Sequence, residues 1–429
     1  MQRQANSLAW WWVGIVALPL LWGCDQEVAQ YQSSWLHQAH QLQRDLDQDQ
    51  PLRRATFIGT HNSYNAAAYT TPQSYYDPNQ IHTITNQLQM DVRALELDVH
   101  SFFGYDLESG TFYRDVLLCH GTDQHIGCSP FDRPLVSALE EIIVWLQQPQ
   151  NQDEVLLIYI EDHTSADDNF ILAETLLGVL GEYLYLPQEP GCNLIAPGLS
   201  KAAVRAADKN VLLISDHCSG ESVSYALFGG FADSIDSTGY PTVGLASLQA
   251  APRCLDTELD QQAVQQNFIR MQEDRTLLSR AVGNGGIKIT PASVSNLLAC
   301  EINLLGLDKL QPGDGRLQAA LWSWAEGHPT GGELALCAQH NANGRFESAD
   351  CGSALPYSCR DSASGQWVVT TVQGNWDQGE ASCAALGMHF EVPFSAYENA
   401  QLQAVKQASG VLHSWLDYHG SQSLAGFNK

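Results

Sequence analysis

Compact apolar runs alternate with longer amphipathic stretches along this chain. Runs rich in Val, Ile and Leu occupy 55–59, 94–99, 116–119, 155–160, 211–215, 243–247, 287–290 and 302–307. Each is short and nearly continuous in hydrophobicity, the pattern of a strand buried on both faces. Between several of them, apolar residues recur at helical spacing over 137–146, 170–185, 201–206 and 260–282. Strands alternating with helices predict an α/β protein with a parallel sheet, and eight candidate strands suit a barrel. After residue 311 the pattern changes. Pro312-Gly313-Asp314-Gly315 reads as a turn, and beyond it the chain is rich in Trp, Gly and Cys. The expected organisation is a leader over 1–24, a polar, Gln-rich tether over 25–52, a barrel over 53–311 and a small second domain over 316–429.

Four of the apolar runs end in residues capable of chemistry. They close on His61-Asn62, on Glu96-Leu97-Asp98, on Cys119-His120 and on Glu161-Asp162-His163. In a parallel barrel every strand C-terminus opens onto one face, so these side chains are expected to converge there. Glu96 and Asp98 lie two apart and share a strand face. Paired carboxylates repel and raise each other's pKa unless a cation relieves them. Glu161 adds a third carboxylate and Asn62 a neutral oxygen. An all-oxygen set without thiolate suits Ca²⁺, with Mg²⁺ second, rather than zinc. His61 and His120, from different strands, suit proton transfer and charge stabilisation at a phosphodiester. Asp162 and His163 are read as supporting residues, and His100, His125 and His217 as ordinary hydrogen-bonded histidines.

Charge and cysteine content narrow the picture. The formal net charge is -27 over 429 residues. That excludes a nucleic-acid partner, which requires a basic face, and simple electrostatic docking on anionic lipid. An apolar stretch over 8–22 ends in Leu20-Leu21-Trp22-Gly23-Cys24, which resembles a bacterial lipoprotein box with Cys24 lipidated. The body of the protein is then exported, as a cell-envelope lipoprotein or a secreted protein. Ten cysteines remain, an even number that permits full pairing in an oxidising compartment. Cys119 and Cys128 can close a short loop, whereas the pairing of Cys192, Cys218, Cys254 and Cys300 stays open.

Gly59-Thr60-His61-Asn62-Ser63-Tyr64, Glu96-Leu97-Asp98, Cys119-His120-Gly121 and Ile160-Glu161-Asp162-His163 together resemble the catalytic X region of Ca²⁺-dependent phosphatidylinositol-specific phospholipase C. The resemblance covers roughly 53–310 and implies a distorted TIM barrel. It implies that His61 and His120 are the catalytic histidines and that Asn62, Glu96, Asp98 and Glu161 are the calcium ligands. Glu96 is also implied as the general base. The implied reaction releases diacylglycerol and a cyclic inositol phosphate from a phospholipid at a membrane surface. Eukaryotic members carry a lysine pair on the fifth strand, but none follows Asn210 here, and no Arg-bearing loop follows Lys288-Ile289-Thr290. Plain or glycosylated phosphatidylinositol is therefore favoured over polyphosphorylated forms.

Beyond residue 316, two blocks resemble a circularly permuted C-type lectin-like domain, a small disulfide-stapled α+β fold. One runs from Trp322 to Cys359 and the other from Trp376 to Tyr418. This resemblance implies Cys337–Cys351 and Cys359–Cys383 bridges. Glu326-Gly327-His328-Pro329 lacks the usual sugar-binding calcium motif, so glycan binding has no motif behind it. Two other functions compete with the phospholipase. One is a glycerophosphodiester phosphodiesterase or phospholipase D-type enzyme on the same barrel, although the former usually opens with His-Arg-Gly where Asn62-Ser63 stands here. The other is a non-catalytic surface adhesin, against which the intact histidine and carboxylate set argues.

Overall fold

A computed structural model describes residues 26–69, 78–106, 110–121, 127–196, 198–215, 218, 220–229, 231–233, 269–274, 288–302, 304–330 and 336–419. Its first sheet is built from β1 (Phe57–Thr60), β2 (Ala94–Asp106), β3 (Thr111–Leu118), β4 (Arg133–Pro134), β5 (Leu156–Asp162), β6 (Val211–Ile214), β7 (Phe231–Asp233), β8 (Ile269–Glu273) and β9 (Leu304–Leu307). Seven of these run parallel in the order β6-β5-β2-β1-β9-β8-β7. This is a mixed α/β barrel-like arrangement, but among the described residues no pairing joins β6 to β7, so the ring is not closed. Helices α1 (Trp35–Leu46), α2 (Ile84–Gln89), α3 (Leu135–Leu146), α4 (Asn169–Leu180), α5 (Lys201–Ala206), α6 (Pro291–Ala299) and α7 (Gly315–Ala320) accompany it.

Strand periodicity sorts the barrel residues into two cores. Phe57, Ala94, Leu157, Tyr159, Leu212, Ile214, Met271 and Leu304 share the interior cluster. Their neighbours Ile58, Leu95, Leu97, Leu156, Ile158, Ile160, Leu213 and Leu305 pack with the helices. Continuing the inner face in steps of two leads from Ala94 to Glu96 and Asp98, from Tyr159 to Glu161, from Met271 to Glu273, and through Gly306 to Asp308. One face of β2, β5, β8 and β9 is thus apolar at its start and acidic at its end.

The fold departs from the sequence pattern at several points. Residues 269–273 form β8, not part of a helix over 260–282, because Met271 has a place in the barrel interior that periodicity alone does not reveal. Residues 288–290 are not a strand: the Thr290 hydroxyl accepts from Ser293 N and caps α6. The expected strand over 243–247 lies outside the described residues. β3 is not parallel. β2 runs 13 residues, and β3 returns antiparallel beside its outer half, with Val99 opposite Leu118.

Residues 26–52, expected as a tether, are packed against the rest of the chain. Ser34 caps α1, which buries Ala39, His40, Leu42, Gln43, Arg44 and Leu46. The Gln43 amide donates to Ala320 O and accepts from Trp322 N and Ser323 N. Arg44 reaches Asp91 at 2.8 Å and Glu154 at 3.1 Å, and Arg93 reaches the same Glu154 oxygen at 2.7 Å. Burial opposes ionisation of Glu154, but the two guanidinium groups overcome it and hold its pKa at about 2. A carboxylate depressed from the usual 4.5 contributes stability above that value and loses it as pH falls towards 2. Glu154→Gln is therefore expected to flatten the acid limb of stability over this window, as read by urea midpoints at about pH 3 and pH 7.

The tail forms a second sheet from β10 (Leu336–His340), β11 (Phe346–Asp350), β12 (Leu355–Arg360), β13 (Trp367–Gly374), β14 (His389–Phe390) and β15 (Ser414–His419). Its order is β11-β10-β15-β12-β13, with β14 on β12, and α8 (Gly379–Ala384) and α9 (Ala396–Ser409) pack beside it. Cys337–Cys351 and Cys359–Cys383 are bonded as the lectin resemblance implies, and Cys119–Cys128 closes its loop. Cys192 pairs with Cys218, which sequence left open. The expected boundary at 311–316 is no break in packing. One apolar cluster runs from Leu42 and Leu305 through Trp322 and Trp324 to Phe346 and Leu416.

Candidate active site

β1 ends at Thr60, and His61 follows with its amide donating to Leu307 O at 3.2 Å. Asn62 then takes a left-handed φ of 47°, which asparagine tolerates better than most residues. That sharp turn swings the Asn62 N–H onto Glu96 Oε2 at 3.0 Å. Gln80 Nε2 donates to both His61 O and Leu307 O at 2.7 Å, tying the turn to β9. Gly306 leaves room for the His61 side chain. A Cβ there would stand 3.0 Å from Glu273 Cγ and 3.5 Å from His61 Cβ.

The ligating atoms of Glu96, Asp98 and Glu161 all lie within 4.8 Å of one another, and His61, Glu96 and Glu273 form a second such group. Glu96 and Asp98 are buried, at 3% and 1% exposure. Burial, then Glu273, pushes the Glu96 pKa up, while burial and Glu161 push up that of Asp98. Burial also opposes ionisation of Glu161, but the His163 ring, 2.9 Å away, overcomes it and lowers its pKa.

Asn62 offers a test of cation fit. In one orientation its side-chain oxygen faces the Asp98 carboxylate, at 2.7–2.9 Å, and the Tyr64 hydroxyl, at 3.1 Å, and its nitrogen faces His61 Nε2 at 3.0 Å. Oxygens so close are favourable only with a cation among them. Turned over, the amide instead donates to Asp98 and accepts from His61 Nε2–H. Glu96, Asp98 and Glu161 supply the all-oxygen donor set that suits a hard divalent ion, and the Asn62 oxygen joins them only in the orientation that faces Asp98.

His61 Nδ1 lies 3.1 Å from Asp308 Oδ1. A carboxylate only accepts, so Nδ1 carries the proton. Asn79 Nδ2 donates to the same oxygen at 2.9 Å. Burial disfavours the imidazolium, but Glu96, the Asp308 hydrogen bond and Glu273 outweigh it and raise the His61 pKa well above its usual value. His120 follows the returning β3 and keeps its ring accessible to solvent at the mouth. Enclosure by protein atoms, then the charge of His61, holds its pKa down.

The expected set thus meets at one end of the barrel, although His120 arrives on an antiparallel strand. His163 supports Glu161, and His100 is buried and stacks on His163 at 4.7 Å. Asp162 accepts from Thr164 and Asn169 and is structural. His125, His217 and Cys24 lie outside the described residues. Sequence reading missed Asp308, Glu273 and Asn79. The position of Asp308 directly after an apolar strand was a usable signal; Glu273 was hidden in an apparent helix, and Asn79 had no strand to announce it.

The family model described as the Rv2075c PI-PLC-like domain matches residues 18–314. The uncharacterized protein Rv2075c of Mycobacterium tuberculosis is 32% identical over 409 residues, covering 90% of this chain and 80% of the relative. A PI-PLC X domain-containing protein of Arabidopsis thaliana, At5g67130, is 35% identical over 119 residues, 26% of this chain and 24% of the relative. The solved phosphatidylinositol-specific phospholipase C of Listeria monocytogenes superposes with a TM-score of 0.38 at 15% identity, over 64% of this chain and 95% of that one. With histidines and carboxylates gathered at the strand ends of a parallel sheet, and a family model spanning more than half its length, this chain belongs to the Rv2075c PI-PLC-like domain family.

Proposed function

We propose that the protein is a calcium-dependent phosphodiesterase that cleaves phosphatidylinositol, or a glycosylated inositol lipid, to diacylglycerol and a cyclic inositol phosphate. The observation carrying this reading is the Glu96–Asp98–Glu161 cluster, its first two members buried and Glu161 half-buried, beside the His61–Asp308 pair. Glu96, Asp98, Glu161 and the Asn62 oxygen would hold the ion, which supplies charge neutralisation at phosphate and a lowered pKa for a coordinated hydroxyl. Glu96 takes the proton of the attacking inositol hydroxyl as its oxygen bonds to phosphorus. His61, held by Asp308 and raised in pKa, supplies a proton to the departing glycerol oxygen as that bond breaks. His120 donates an N–H to the phosphoryl oxygens from the solvent side. Four disulfides among the described residues support export to an oxidising compartment, where Cys24 would carry the lipid anchor.

The hairpin of β2 and β3 supports a lipid substrate. Phe103 on β2 and Phe112 on β3 stack at 4.9 Å and are 61% and 66% exposed, on the hairpin whose second strand precedes His120. Phe131, 71% exposed, follows the Cys119–Cys128 bridge in sequence. Replacing Phe103 and Phe112 together by serine is expected to lower hydrolysis of vesicle lipid about tenfold or more, by losing apolar area buried in the bilayer. Turnover of a water-soluble inositol phosphodiester should be unchanged.

The direct experiment is hydrolysis of phosphatidylinositol with calcium and with chelator, analysing both products. Calcium-dependent release of diacylglycerol and cyclic inositol phosphate is expected. Release of an alcohol with a phosphomonoester would point instead to a phospholipase D-type or glycerophosphodiesterase reaction.

A further inference from the structure

We infer that Arg316 is a positioning residue of this centre, clamping the ends of β8 and β9 and so setting His61 against Asp308. Arg316 is 5% exposed, at the start of α7, in a stretch whose sequence pattern points away from the barrel. Its Nη1 donates to Asp274 Oδ2 at 2.7 Å and its Nη2 to the main-chain oxygen of Asp308 at 2.7 Å. Nε and Nη2 also donate to Asp314, the residue that caps α7.

The two clamped residues matter because of their neighbours. Asp274 follows Glu273, one of the acids beside His61 and Glu96. Its amide donates to Gly306 O at 2.7 Å, and its Oδ1 accepts from Ile289 N at 3.0 Å, so β8, β9 and the start of α6 meet at this point. The Asp308 carboxylate is lightly held. Oδ1 serves His61 and Asn79, while Oδ2 is buried with no partner among the described residues. A carboxylate fixed through one oxygen keeps its aim only if its backbone is fixed, and the Arg316 bond is to that backbone. A planar fork can bind a carboxylate and a carbonyl on two strands at once, whereas an ammonium on a flexible stem cannot hold both in fixed directions. Arg316 does not touch the ring it serves; it acts through Asp308.

The kinetic half of the test rests on the phosphodiesterase reading, while the spectroscopic half does not. Arg316→Lys and Arg316→Ala are made in the full chain. Turnover of phosphatidylinositol in detergent micelles is measured, with the His61 Nδ1–H proton resonance assigned by its loss in His61→Ala. We expect kcat to fall about tenfold or more with KM changed less than about twofold, as displacement of a catalytic group predicts. The His61 resonance should shift or vanish in both variants, and millimolar guanidinium should restore part of the kcat of Arg316→Ala. A purely structural arginine would lower thermal stability without that kcat–KM split or rescue. Folded Arg316→Lys with unchanged kcat and an unchanged His61 resonance overturns the inference. If the wild type turns over no phosphodiester, the activity reading fails, and the resonance alone decides the role of Arg316. If Arg316→Ala does not fold, the charge-retaining lysine variant decides.

Discussion

His61→Ala is expected to lower phosphodiester turnover by about 10²–10⁴-fold, the usual contribution of a positioned proton-transfer group. The ring holds the strongest arrangement in the site. Asp308 fixes its Nδ1, the turn at Asn62 fixes its backbone, and surrounding carboxylates raise its pKa. The fold should survive, because the barrel interior beneath is closed by Phe57, Leu157, Met271 and Leu304 and does not include His61. Circular dichroism and a thermal midpoint taken beside the rate separate loss of chemistry from loss of structure. A folded His61→Ala variant with full activity would remove the histidine from the mechanism.

The second large effect concerns the ion. In chelator, three carboxylates crowd one another, and burial has raised the pKa of Glu96 and Asp98. Calcium should therefore stabilise the wild type strongly, by about 2.7 kcal/mol at a concentration 100 times its Kd. Asp98→Asn removes one charge from the proposed ligand set and weakens its hold on a cation. The variant is expected to be more stable than wild type in chelator, to gain little from calcium, and to lose at least about 10²-fold in activity, a loss typical of removing a group that offsets transition-state charge. Thermal midpoints of both proteins, with and without calcium, decide this. Full activity of the wild type in chelator would refute the ion's role in turnover, whatever the midpoints show.

Much of this centre was legible because strand periodicity is simple. Once 94–99 is read as a strand, Glu96 and Asp98 must share a face, and their carboxylates do lie within 4.8 Å of each other. Hydrophobic runs also located β1, β5, β6 and β9 to within a few residues. Three kinds of information were not in the pattern. Pairing direction was one: the run ending at His120 looks like its neighbours, yet it returns antiparallel because β2 overshoots the sheet. Competing periodicity was another, since Glu273 closes a strand of only five residues whose neighbours also fit helical spacing. The third was polar burial. α1 is rich in Gln and His and reads as a solvated linker, yet its amide groups and its one guanidinium, on Arg44, find partners far along the chain. Hydrogen-bond partners so distant in sequence leave no local trace.

Gln43 is the clearest case of that last kind, and it bears on how such a protein can change over generations. One side chain near the start of the chain satisfies main-chain groups at Ala320, Trp322 and Ser323. The Trp322 indole in turn donates to Thr56, just before β1. Loss of the tail by recombination would leave a buried amide without partners and bare the apolar surface around Trp322; loss of the opening helix would do the same from the other side. The barrel and tail are therefore not a detachable cassette and its carrier. They are expected to melt together, in one calorimetric transition.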